Sequence, residues 1–303
     1  MHDARPLAPP AARQGPGPMP QALVEALGIA VAHRVAGALP GDRRAAGVGV
    51  GTELAQLRPY VIGDDVRRID AAATARTGEP HVRLQVPERT MTTWLVVDLS
   101  ASMAFGTTDR LKADVAEGVA LALGRLALRH AGRLGVMTFG AGEPDLHPPR
   151  GSKAGLVALR RSLASGVGVD GSGRPGALAD ALGRLGRAAR QPGLVVVISD
   201  FRDQHDWTRA LGSLRAHHAV LAVEISDPRE AEVPAVGRLA VVDPETGARV
   251  EVDTSRPRVR ERFAALEAER RETLHKELRR LRVDHVPLST KGDWLLQLGR
   301  GLA

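Results

Sequence analysis

Cysteine is absent from all 303 residues. Its absence excludes disulfides, thiol catalysis, iron–sulfur clusters and Cys-based zinc sites. Aromatic residues are scarce at 3% of the chain, so the core must rest on Leu, Val, Ala and Ile. Lysine is confined to Lys112, Lys153, Lys276 and Lys291, and arginine carries nearly all the basic charge. No run reaches the ~20 apolar residues of a membrane span. Residues 21–40 come closest, but Glu25, His33 and Arg34 interrupt them. The N-terminus also lacks the basic start and apolar run of a secretory signal. A soluble cytoplasmic protein is the expectation. There is no Gly-x-x-x-x-Gly-Lys-Ser/Thr, which argues against a P-loop ATPase, and no Gly-x-Ser-x-Gly nucleophile elbow.

What is present is ordinary globular material, 43% hydrophobic and 25% charged. The net charge of +7 permits an acidic partner, nucleic acid or anionic lipid. Because that charge is spread rather than clustered, an Arg-rich composition explains it better than a nucleic-acid site.

Residues 1–20 hold six prolines among Ala and Gly and read as a disordered leader. Residues 21–46 read as a short helix and linker. Residues 47–93 form a separate β-rich module, in which Val82, Leu84 and Val86 alternate with Arg83 and Gln85 as in a half-exposed strand. From residue 94 to 303 strands and helices alternate, predicting a mostly parallel sheet covered by helices on both faces. A helix is expected to start near Thr107 or Thr108, with Asp109 in its first turn. Further helices are expected over 153–164, 177–189, 207–217, 257–282 and 293–298. Asp243-Pro244-Glu245-Thr246-Gly247 reads as the turn of a β-hairpin.

The most informative stretch is Trp94-Leu95-Val96-Val97-Asp98-Leu99-Ser100-Ala101-Ser102. Four apolar residues read as a strand buried on both faces, and they run straight into Asp-x-Ser-x-Ser. Chain polarity puts Asp98, Ser100 and Ser102 at the carboxyl end of that strand, where open α/β sheets carry their ligands. One carboxylate and two hydroxyls are hard donors, suited to Mg²⁺ or Mn²⁺ and poor for zinc or copper. Taken alone, such residues serve equally well as caps of helices and turns. Asp200 tips the balance. It follows Val195-Val196-Val197-Ile198-Ser199, matching the place of Asp98 on its own strand. Two carboxylates ending together repel, which calls for a proton or a cation.

These residues resemble the metal-ion-dependent adhesion site of von Willebrand factor A domains. The resemblance is closer still to a bacterial family built on that fold, the domain of unknown function family 58. Its upstream block is similar to Leu57-Arg58-Pro59-Tyr60-Val61-Ile62-Gly63-Asp64-Asp65-Val66-Arg67-Arg68-Ile69-Asp70, followed by Ala75-Arg76-Thr77-Gly78. The resemblance spans about residues 47–200. It implies a Rossmann-like von Willebrand factor A domain with a small β-rich N-terminal module. The metal ligands it implies are Asp98, Ser100, Ser102 and Asp200.

Two positions depart from the family pattern. Ala71 stands where a Trp is usual, and Gly176 or Ala177 stands where the metal site usually has a Thr. Ser172 or Asp170 is a possible substitute ligand from the same loop. The charged block is either a solvated turn or an ion-pair network and docking surface. Its partner-binding candidates are Arg58, Tyr60, Asp64, Asp65, Arg67, Arg68, Asp70 and Arg76.

The family resemblance further implies a non-enzymatic adaptor that works with a MoxR-type AAA+ ATPase in chaperone-like assembly or activation. On that reading an acidic residue of a partner fills the ion's open position. The alternatives are a metal-dependent phosphoester hydrolase, which wants a general base that the sequence does not offer, and an Arg-rich nucleic-acid binder.

Overall fold

The computed structural model describes residues 13–38, 53–86, 91–129, 132–171, 173–203 and 205–302. In chain order the elements are α1 (Gln21–Ala38), β1 (Glu53–Pro59), α2 (Ala71–Thr77), β2 (His81–Val86), β3 (Thr92–Asp98) and α3 (Lys112–Ala127). Then come β4 (Arg133–Gly140), β5 (Gly142–Gly151), α4 (Ser152–Leu163), α5 (Ala177–Ala188), β6 (Leu194–Ser199) and α6 (Thr208–Arg215). The chain closes with β7 (Ala219–Ser226), β8 (Arg238–Val242), β9 (Arg249–Asp253), α7 (Pro257–Arg280), β10 (Asp284–Ser289) and α8 (Trp294–Leu302).

Two units result: residues 41–90 in one, and residues 1–40 with 91–303 in the other. In the smaller, β1 and β2 pair antiparallel, and Ile69 makes an isolated bridge to Val82. The larger carries a six-stranded sheet in the order β10-β7-β6-β3-β4-β5, parallel throughout except for β5. This is the Rossmann-like, mostly parallel architecture that the sequence predicts.

Alternation along the buried strands supplies both faces at once. Leu95, Val97, Val196 and Ile198 meet α1, α3, α4 and α8 on one side. Trp94, Val96, Val195 and Val197 meet α5, α6 and α7 on the other. The fold places its site through topology. From β3 the chain moves to β4 on one side, whereas from β6 it moves to β7 on the other. The reversal leaves a crevice at the carboxyl ends of β3 and β6, where such sheets bind ligands.

Three sequence expectations need correction. Residues 13–20, expected within a disordered leader, are mostly exposed yet tied down by hydrogen bonds, and residues 1–12 of that leader lie outside the described residues. Pro16 O accepts a bond from Trp294 Nε1 at 2.8 Å, and Arg13 Nε donates to Asp114 Oδ1 at 2.9 Å. The helix expected from Thr107 or Thr108 begins at Lys112 instead. Its first turn is fixed by Asp114, which accepts from Leu111 N at 3.1 Å, while Thr107 is drawn away to Asp227 and Asp109 to Gly292 N. Helix α6 is shorter than expected, spanning Thr208–Arg215. One strand of the larger unit has no counterpart in the sequence reading. It is β5, whose Pro144, Pro148 and Pro149 are tolerated because it lies at the sheet edge. The hairpin expected around residues 243–247 forms, with β8 and β9 antiparallel.

Asp227, at the carboxyl end of β7, gathers separate segments. It is fully buried and accepts from Thr107 Oγ1 and Thr290 Oγ1 at 2.6 Å each. Burial pushes its carboxyl up, but these bonds and those from backbone N–H groups outweigh it and hold the pKa below the ordinary value. A depressed folded-state pKa contributes stability above the unfolded value, and that contribution is lost as pH falls through the folded one. Asp227→Asn should therefore cost about 1–3 kcal/mol at neutral pH in urea unfolding. The deficit should shrink below about pH 4. A deficit that stays constant with pH would contradict this assignment.

Candidate functional site

The crevice holds the residues that the sequence singles out. Strands β3 and β6 pair in register, Val97 opposite Ile198, so Asp98 and Asp200 emerge at one edge. Asp98, Ser100, Ser102 and Asp200 are all at least 92% buried. After Asp98 the chain enters a 3₁₀ turn over Ala101–Ala104 that folds both serines back over the strand tip. Ser100 Oγ and Ser102 Oγ lie 3.1 Å apart, and Ser102 Oγ donates to Asp200 Oδ2 at 2.8 Å. Gly140, at the tip of β4 with φ +92°, makes the close approach possible. A Cβ there would lie 2.5 Å from Ser100 N.

The two carboxylates are held differently. Asp98 Oδ1 accepts from Ser100 N at 2.9 Å and its Oδ2 from Ser199 Oγ at 2.5 Å. Burial and the nearby Asp200 charge push the Asp98 carboxyl up to about 7 against these bonds. Asp200 is also pushed up by burial, but Lys112 and Arg202 oppose it, and its pKa stays below the ordinary value. Lys112 is wholly buried, and its Nζ donates to Asp200 Oδ2 and to Glu230 Oε1, each at 2.6 Å. Arg202 Nε lies 3.2 Å from the same Glu230 oxygen.

A pocket of about 360 Å³ opens over these groups, lined also by Arg174, Ala177 and Glu245. Glu245 comes from the tip of the β8–β9 hairpin, and its Oε1 accepts from Ser102 N at 3.0 Å. Asp243 pre-orders that tip by accepting from Glu245 N at 2.9 Å and Thr246 Oγ1 at 2.7 Å. Two backbone bonds clamp it across the loop before α5: Gly171 N to Pro244 O at 2.7 Å and Gly173 N to Glu245 O at 2.9 Å.

These donors fit a small divalent cation. The hydroxyl and carboxylate oxygens, 2.8 and 3.1 Å apart, match the edges of about 3 Å expected of an octahedral Mg²⁺ shell with bonds near 2.1 Å. Asp98 is raised chiefly by burial and secondly by the Asp200 charge, and a cation beside it would favour its ionised form. The donor set is nevertheless short. Neither Gly176 nor Ala177, which lines the pocket, carries a hydroxyl, and Asp170 is exposed and absent from the lining. Ser172 lies outside the described residues.

Sequence reasoning missed three members of this site. Lys112 was visible only as one of four lysines in an arginine-rich chain. Glu230 and Glu245 gave no signal, because it is long-range packing that brings them here.

In the smaller unit the charged block is partly an ion pair and partly a set of caps. Arg58 holds Asp64 through two bonds of 2.7 and 2.8 Å. Asp65 accepts from Arg67 N at 3.0 Å at the start of a 3₁₀ turn, and the buried Asp70 accepts from Ala73 N at 2.7 Å to cap α2. Tyr60 N bonds Pro80 O at 2.7 Å, whereas Arg67 and Arg76 are exposed and Arg68 is half-buried.

Comparison with known proteins gives the following likenesses. The family described as protein of unknown function DUF58 matches residues 56–273. An uncharacterized protein of Mycobacterium tuberculosis is 36% identical over 282 residues, covering 93% of this chain and 88% of that one. One from Mycobacterium avium is 34% identical over 157 residues, 50% of this chain and 89% of that one. Among solved structures, the conserved hypothetical protein BatB of Bacteroides thetaiotaomicron is 13% identical, with a TM-score of 0.43 over 70% of this chain and 97% of that one. The SpRpn10 VWA domain is 16% identical, with a TM-score of 0.33 over 45% of this chain and 76% of that one.

Two outcomes follow from the geometry. Lys112→Met leaves Asp200 and Glu230 without their shared cation, and should cost about 3–5 kcal/mol in urea unfolding. A loss below 1 kcal/mol would mean that the ammonium does not neutralise this cluster. Gly173→Ala puts a Cβ 2.4 Å from Glu245 Oε2 and 2.6 Å from its carbonyl oxygen. Amide exchange at Gly171 and Gly247 should then accelerate while β3 and β6 stay protected. Unchanged exchange would contradict the clamp.

Proposed function

Because the chain belongs to the DUF58 family, with a matching segment that covers most of its length, we propose that it is a non-enzymatic docking protein. The observation that carries this reading is the pocket itself. Two buried acids and two serines converge beneath an opening that already receives one carboxylate, that of Glu245. A surface built to accept Glu245 in cis suits an acidic side chain of a partner in trans. The state of the carboxylates supports the same view. Each oxygen of Asp98 and Asp200 accepts at least one hydrogen bond from a protein donor, which favours a fixed, ligand-holding role for both acids.

Asp98, Ser100, Ser102 and Asp200 would hold Mg²⁺ or Mn²⁺, which supplies an open coordination position for a carboxylate. Lys112, and the lack of a hydroxyl at Gly176 or Ala177, make that binding weaker than a full donor set would give. No described helix is long and apolar enough to cross a membrane, and we place the work in the cytoplasm. The partner proposed is a MoxR-type AAA+ ATPase, with this chain acting as its adaptor in assembly or activation.

Calorimetry of Mg²⁺ and Mn²⁺ on the full chain and on Asp98→Ala, alongside co-purification with a co-expressed MoxR-type ATPase, tests both levels. Ion binding that is lost in the variant, together with reduced ATPase capture, is expected. Capture that is equal in both proteins, with no ion binding in either, would remove the metal from the reading and the pocket from the interface. Release of phosphate from a generic phosphodiester in Mn²⁺ would contradict the non-enzymatic role.

A further inference from the structure

On the other flank of the sheet, three side chains from three elements converge with no role in the pocket. Glu224 lies on β7, His285 on the neighbouring β10 and His275 on α7. The parallel register sets Glu224 opposite Pro287 and His285 opposite Ala222. Glu224 and His285 are thus two positions apart and share a face. His285 Nε2 lies 3.0 Å and His275 Nε2 3.5 Å from the same oxygen, Glu224 Oε2. The two rings sit 4.7 Å apart, tilted by 56°. One ligand atom from each residue falls within 4.8 Å of the others.

We infer that Glu224, His275 and His285 form a second metal site, for a zinc-class transition ion. Bonds of about 2.0–2.1 Å around a tetrahedral ion set ligand atoms about 3.3 Å apart, and the observed 3.0 and 3.5 Å bracket that spacing. Two imidazoles with one carboxylate suit zinc and the neighbouring transition ions, and disfavour the magnesium suited to the serine-lined pocket. A second observation bears on the carboxylate. Glu224 is 2% exposed and its Oε1 accepts no hydrogen bond, so a cation shared across the carboxylate would offset part of the cost of its burial.

Arg270 also faces the cluster, with a guanidinium nitrogen 3.7 Å from Glu224 Oε1. Glu267 engages that guanidinium through bonds of 3.0 and 3.1 Å. Arg270 therefore flanks the distal carboxylate oxygen, as a group that orients a ligand does, and leaves Oε2 to the ion. The His275 side chain is 39% exposed, which opens the site to solvent. Three protein ligands leave a fourth position for water or an exogenous ligand. A bound ion would tie α7, the helix that follows the β8–β9 hairpin, to the adjoining strands β7 and β10.

The test is Zn²⁺ calorimetry on the untagged, chelator-treated full chain, with Co²⁺ absorption as a report on coordination. About one zinc per chain is expected, with a visible tetrahedral Co²⁺ band that Zn²⁺ displaces. His275→Ala and His285→Ala should each weaken zinc more than tenfold and abolish the zinc-dependent rise in Tm. Asp98→Ala should bind zinc like the wild type, which separates this site from the pocket. Because His275 is part-exposed on a helix, its variant folds and serves as the deciding one, with circular dichroism as the check. No zinc binding by the wild type, or binding unchanged in His275→Ala, would overturn the inference.

Discussion

The compensation of buried negative charge at the switch point of the sheet is the constraint on which the rest depends. Parallel pairing of β3 with β6 brings Asp98 and Asp200 to one edge, both under 5% exposed. Burying two carboxylates costs several kcal/mol unless hydrogen bonds and opposite charge offset it. The chain meets that cost unevenly. Lys112 and Arg202 serve Asp200, while Asp98 has only neutral donors and carries the raised pKa. The serines that satisfy these acids are therefore held by the same requirement that makes them candidate ligands.

Lys112 links this chemistry to the outer parts of the unit. Its ammonium joins Asp200 to Glu230, which stands in the short 3₁₀ turn after β7. Glu230 Oε2 in turn accepts from Asp227 N at 2.9 Å, and Asp227 ties in Thr107 and Thr290. The position of α3, the end of β7 and the end of β10 are thus coupled to the charge state of the pocket through direct bonds. Above the pocket, the hairpin tip with Glu245 adds the contact most open to exchange, since its seat rests on one side-chain bond and two backbone bonds.

Much of this could be read from residue order. The apolar runs before Asp98 and Asp200 needed no partner to be recognised as buried strands, and their common ending at one edge followed from parallel pairing. The Asp-Pro-Glu-Thr-Gly turn was equally legible, because Asp and Gly favour turns locally. What the sequence concealed were contacts between distant segments. Nothing local marks Glu245 as a neighbour of Ser102, 143 positions away, or Glu230 as the partner of Lys112. Helix α3 began later than expected for a related reason, since Thr107 is claimed by Asp227 from across the unit. The prolines of β5 hid an edge strand that only its pairing with β4 reveals.

The most direct measurement is a Mn²⁺ titration of the full chain followed by paramagnetic broadening of backbone amide signals. The account predicts that amides of Leu99 to Met103, Gly140, Phe201 and Glu245 broaden first, and that Asp98→Ala removes this pattern. Broadening that begins elsewhere, or a pattern that persists in the variant, would contradict a cation-binding docking site built on Asp98, Ser100, Ser102 and Asp200.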